Sequence, residues 1–118
     1  MGDRSSIYIA SKDFPHPVAL YGHWSGQDNL VAVANVLERT DRVGDPNYLT
    51  AQVFYEFAVS NGYTGGLGFG IGTYETTSDG LDDNPAVYLN ADTGEVTYED
   101  ITYSQADFLT DYLNLIKG

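Results

Sequence analysis

The spacing of apolar positions changes several times along this chain, and each change marks an element. Ser6-Ile7-Tyr8-Ile9-Ala10 is β-branched and aromatic and predicts a first strand. The segment from Lys12 to Pro17, with two prolines and an aspartate, predicts a turn, and Val18-Ala19-Leu20-Tyr21 a second strand that closes a hairpin with the first. From about Gln27 to Arg39 the period becomes helical: Leu30, Val33, Ala34 and Leu37 form one stripe, and Ser25 with Asp28 has capping-box spacing that nominates Ser25 as N-cap. Asp45-Pro46 starts a second helix, about Pro46 to Ser60, with Leu49, Val53 and Phe57 in one row, Phe54 and Ala58 widening it, and Asn61-Gly62 ending it.

Between Gly65 and Gly72, glycine alternates with Leu67, Phe69 and Ile71. A strand with one bare face implies close approach to its backbone, by a helix, a neighbouring aromatic ring or a ligand. Tyr74 to Pro85 reads as an acidic loop. Ala86 to Asn90 and Glu95 to Glu99 flank Ala91-Asp92-Thr93-Gly94 as a clear hairpin. Ser104 to Lys117 closes the chain as a helix with Ser104 and Asp107 at capping-box spacing and a stripe of Phe108, Leu109, Tyr112, Leu113 and Ile116. The order β-β-α-α-β-β-β-α predicts one α+β domain over 1–118, with residues 1–5 a disordered lead-in. Its sheet is expected to be mainly antiparallel, of about five strands, with three helices on one face.

Composition narrows the partners. Five Lys and Arg stand against 17 Asp and Glu, a formal net charge of −12. Such a surface repels phosphate backbones and anionic lipid, so neither direct nucleic-acid binding nor membrane binding is expected. The charge suits a solvated surface, a high-salt habitat or a surface that imitates nucleic acid. There is no cysteine, so disulfide and thiol chemistry are absent. No apolar run reaches the roughly 20 residues of a membrane helix, and the N-terminus lacks signal-peptide layout; a cytoplasmic location is expected, in a host cell if the protein is viral.

Tyr21-Gly22-His23-Trp24-Ser25-Gly26 holds the single tryptophan and one of two histidines, where the second strand hands over to the first helix. The serine falls one place late for a Gly-x-Ser-x-Gly nucleophile elbow. The glycine strand matches no dinucleotide or P-loop register, Asp79 to Asn84 lacks the ligand alternation of a calcium loop, and His16 with His23 makes a weak zinc pair. No metal, cofactor or catalytic set is expected, and a hydrolase using His23 ranks last. A binding site survives: Tyr21, His23, Trp24, Ser25 and Gly26, with Arg42, offer stacking, hydrogen bonding and a helix N-terminus that could seat an anion. The alternative for Trp24 is a core residue at the strand–helix junction. A separate acidic set, Asp79, Asp82, Asp83, Asp92, Glu95, Glu99 and Asp100, is the expected partner-binding surface of a nucleic-acid mimic.

Leu20 to Gly26, Arg42 to Leu49, Thr64 to Gly72 and the strand after Asn84-Pro85 together resemble a family of small uncharacterised proteins of phages, prophages and some actinobacterial and archaeal genomes, with His-Trp-x-Gly as its most specific piece. The resemblance implies a mobile-element setting and carries no activity. Together the expectations are a non-catalytic binding or inhibitory protein that sequesters a small ligand, such as a nucleotide, or occupies a host protein. The alternatives are an acidic mimic that blocks a nucleic-acid-binding host factor, and a halophile-adapted structural or oligomeric protein. Oligomeric state is left open.

Overall fold

A computed structural model describes residues 4–22, 27–60, 69–73 and 84–117. Among them the chain runs β1 (Ser5–Ala10), β2 (Val18–Gly22), α1 (Asp28–Arg39), α2 (Pro46–Ser60), β3 (Phe69–Thr73), β4 (Val87–Asn90), β5 (Val96–Tyr98), β6 (Ile101–Tyr103) and α3 (Gln105–Lys117). The α+β class stands, but the sheet has six strands in the order β3-β2-β1-β4-β5-β6. Every pairing is antiparallel except β1 with β4, where Ile7 aligns with Val87 and Ala10 with Asn90. β1 begins at Ser5, one residue inside the stretch expected to be disordered; Ser5 is buried and aligned with Gly22 of β2.

The sixth strand escapes the sequence reading because its turn carries unusual residues. Glu99 and Asp100 connect Tyr98 to Ile101, and both adopt positive φ, 50° and 69°. Two positive φ angles in a two-residue hairpin are the I′ arrangement, which favours Asn-Gly or Asp-Gly because those residues tolerate the left-handed region. The wider β4–β5 connection uses Gly94 at φ 83°, and the Gly94 N–H donates to the Asn90 carbonyl at 2.8 Å.

The helices follow their apolar periods onto one face of the sheet. Leu30, Val33, Ala34 and Leu37 of α1, with Leu49, Val53 and Phe57 of α2, join Ile7, Ile9, Leu20, Val87, Leu89, Val96, Tyr98 and Phe108 in the core. The two helices are also tied at the surface, where Arg39 pairs with Glu56 and the Thr40 hydroxyl donates to Gln52 Oε1 at 2.6 Å. α3 packs through Phe108, Leu109, Tyr112 and Leu115, and Phe108 meets Tyr103 of β6 edge-on with ring centroids 6.4 Å apart. Leu113, expected in that stripe, is exposed. Five residues past Phe108 on a helix is about 140° around the axis, whereas Leu115 returns to the inner face. Ser104 caps α3 as expected, accepting from the Asp107 N–H at 3.1 Å.

The start of α1 differs from the expectation. Its N-cap is Gln27, with no side-chain cap bond, and the helix begins at Asp28 rather than next to Ser25. Gln27 instead spends its side chain on the Tyr98 hydroxyl of β5. The first turn is anchored by Asn29, buried, whose Nδ2 donates to the Ser6 carbonyl at 3.2 Å and the Pro85 carbonyl at 3.0 Å. One amide thereby clamps the ends of β1 and β4, the two strands of the parallel pair. No helix of the described residues is long and apolar enough to cross a membrane.

Candidate functional site

His23, Trp24, Ser25 and Gly26, and of the acidic set Asp79, Asp82 and Asp83, lie outside the described residues; Asn61-Gly62, expected to end α2, does too. The remaining expected site residues are not brought together. Tyr21 is the penultimate residue of β2, aligned with Ser6 of β1 and Gly70 of β3. Its ring lies across Gly70, where a Cβ would come within 2.3 Å of Tyr21 Cζ. The bare glycine face therefore accommodates a neighbouring aromatic ring, one of the explanations the sequence allows. Arg42 follows the far end of α1. Twelve helical residues at 1.5 Å each put it about 18 Å along the axis from the first turn that follows β2. There its guanidinium lies over the Tyr48 ring at 4.6 Å and faces Asp45 Oδ2 at 3.4 Å, both groups partly exposed. Tyr21 and Arg42 cannot share one ligand; the length of α1 separates them.

The described acidic residues divide as well. Asp92, in the β4–β5 turn, accepts from Ser11 Oγ at 2.9 Å and from the Lys12 N–H at 2.8 Å. Those bonds latch the β1–β2 connection to a turn 80 residues away, and the Lys12 N–H above all holds the Asp92 carboxyl below its ordinary pKa. Asp92 is thus an internal acceptor rather than a free contact group. Glu95 precedes β5, while Glu99 and Asp100 follow it in the next turn, four residues and about 13 Å of extended chain away. These carboxylates sit at opposite ends of one strand. Burial pushes the nearby Tyr98 phenol above its ordinary pKa, and the Glu99 carboxylate adds to that, against the hydrogen bond from Gln27.

A constellation that periodicity did not single out lies on the sheet face turned away from the helices. Cross-strand register aligns Gly72, Ala19, Tyr8, Tyr88, Thr97 and Thr102 in one row across all six strands. Aligned residues of paired strands share a face. Tyr8 and Tyr88 stack, with centroids 5.1 Å apart and planes inclined by 25°. Thr97 and Thr102 share a hydrogen bond of 2.8 Å. Tyr8, Tyr88, Asn90, Glu95, Thr97 and Thr102 line most of an open groove of about 280 Å³, with Pro17 at its rim. The sequence signal for it was present: Tyr8 alternates with Ile7 and Ile9, Tyr88 with Val87 and Leu89, and Thr97 with Val96 and Tyr98. Alternation names the face of each strand, but only the pairing makes the residues neighbours.

The groove's size and lining bound what it can hold. Small-molecule pockets run from about 300 to 1,000 Å³, so this one takes a single ring or one side chain rather than a dinucleotide. Among the described residues its lining supplies the Tyr8–Tyr88 pair, hydroxyls, an amide and one carboxylate, and no cation. That favours a neutral hydrogen-bonding or cationic group and disfavours a phosphate. Among the described residues no cluster of His, Asp and Glu has metal-binding arrangement.

The comparisons with known proteins add nothing to this geometry. No family model, no curated protein and no solved structure matches the chain.

Proposed function

We propose that this chain is a non-catalytic binding protein of viral or mobile-element type that occupies a partner protein through the helix-free face of its sheet. The groove over the stacked Tyr8–Tyr88 pair receives one cationic side chain of that partner. The observation that carries this reading is the groove itself: the exposed Tyr88 ring, stacked on the buried Tyr8, beside Glu95, with hydroxyls and an amide around it. An arginine or lysine head there gains contact with the Tyr88 ring and a carboxylate. The net charge of −12 steers basic partners toward the molecule from any direction.

The mimic reading draws on that same net charge, but the described carboxylates at the two ends of β5 do not favour it. A nucleotide ligand is disfavoured at this groove, since no cation lines it among the described residues and Arg42 lies beyond the far end of α1.

The test is a titration of isotope-labelled protein with an arginine-rich peptide, arginine amide and a nucleoside triphosphate, followed by amide chemical shifts. The peptide and arginine amide are expected to move Tyr88, Thr97 and Thr102 at low salt and to release as salt rises. Tyr88→Ala and Glu95→Gln should each weaken that response severalfold. Shifts elsewhere on the surface, or equal binding of the nucleoside triphosphate, would overturn the assignment.

A further inference from the structure

β6 is the last strand in the sheet order, and among the described residues no strand pairs with its outer side. Its register shows which groups face outward. Across a two-residue turn the flanking pair, Tyr98 and Ile101, exchanges backbone hydrogen bonds, so the next pair, Thr97 and Thr102, does not. A pair of that second kind brings its side chains closer, and the two threonine hydroxyls meet at 2.8 Å. The Thr102 N–H and C=O therefore point away from β5, and Thr102 is exposed. Beyond Tyr103 the chain enters α3 through the Ser104 cap. The open edge is short, and one residue offers both its donor and its acceptor.

That edge adjoins the groove, which Thr102 lines together with Thr97 and Glu95. The charge around it has one sign. Residues 95–116 contain Glu95, Glu99, Asp100, Asp107 and Asp111 and no Lys or Arg. Glu99 and Asp100 form the turn at one end of β6, and Asp107 stands in the first turn of α3 at the other.

We infer that the partner segment whose cation enters the groove is an extended basic strand, which adds to β6 as a further strand of the sheet. The inference rests on the proposal that the groove receives a cation, and it names the backbone that delivers it. A residue opposite Thr102 exchanges both backbone hydrogen bonds with it and shares its helix-free face. Glu95 lies two strand spacings inward, about 10 Å. Only the short side chains of Thr102 and Thr97 stand between, so an arginine lies over them into the groove and meets the Glu95 carboxylate. Residues two places to either side come level with Asp100 and with Ser104, where α3 begins. Cations at alternate positions of the strand thus each approach acidic ground. Charge selects this occupant over a second copy, which brings the same carboxylates to the edge and no cation.

Amide hydrogen exchange on labelled protein, titrated at low salt with a seven-residue peptide carrying arginine at alternate positions, tests this. At saturation the Thr102 N–H should exchange at least about tenfold more slowly. N-methylation of the arginines, whose N–H groups face β6, should weaken binding about tenfold. N-methylation of the residues between them, whose N–H groups face solvent, should cost little. Peptide binding that moves Tyr88 and Thr97 but leaves Thr102 exchange unchanged overturns the strand and leaves the groove reading standing; so does equal binding of both N-methylated peptides. No response to peptide or to arginine amide overturns both. Thr102 exchange that slows with protein concentration alone assigns the edge to a second copy and overturns the inference as well.

Discussion

Replacing Asn29 by alanine removes one small amide and tests how the parallel strand pair is held. Asn29 is 1% exposed; its Nδ2 serves the Ser6 and Pro85 carbonyls, and its Oδ1 accepts from the Leu30 N–H at 2.8 Å. Two donor bonds vanish in Asn29→Ala. Each is worth about 1 kcal/mol net, and the carbonyl of the buried Ser6 residue loses a donor that water cannot easily replace, which adds about 1 kcal/mol. Alanine's better helix propensity returns about 0.5 kcal/mol. The expected loss is therefore about 2–3 kcal/mol, or a fall in Tm of about 10 °C for a chain of this size. Urea unfolding followed by circular dichroism at neutral pH measures it, with the slope against denaturant expected to stay constant. Asn29→Asp is the control. It preserves shape and the acceptor for Leu30 but turns a carboxylate oxygen toward two carbonyls, so it should cost at least as much as alanine. A loss below about 0.5 kcal/mol, or an aspartate variant as stable as the native protein, would refute the view that these donor bonds clamp β1 to β4.

Two further expectations rest on turns. The Asp92 carboxyl is held below its ordinary value by the Lys12 N–H and the Ser11 hydroxyl, so its stabilising contribution is present above about pH 4 and is lost as pH falls through the lowered folded-state value. The Tm gap between native protein and Asp92→Asn should accordingly narrow between pH 5 and pH 2; a gap that widens toward acid would contradict the latch. In the β5–β6 turn, Glu99→Asn with Asp100→Gly replaces two side chains at positive φ by the residues that favour that conformation. This double variant should gain about 1 kcal/mol in thermal or urea unfolding, and no gain would argue against a I′ turn.

The local code of this chain was legible because it is local. Periods of 3.6 and 2 within single segments determined α1, α2, α3 and the β4–β5 hairpin, and Ser104 announced its cap three residues before Asp107. Those signals need only near neighbours. What the tertiary structure alone decided involves residues far apart in sequence. β1 pairs in parallel with β4 about 80 residues on, a contact no spacing announces. β6 hid behind a Glu-Asp turn whose conformation comes from the tertiary fold rather than from residue preference. Asp92 looked like a free surface charge until the fold placed it over the Lys12 N–H. Tyr21 and Arg42 looked like one site until the length of α1 set them apart. Tyr8, Tyr88 and Thr97 each showed their face through alternation, but became a groove only when three strands aligned them. The acid-rich composition set the charge that the surface carries; the sheet register decided which side chains share its helix-free face.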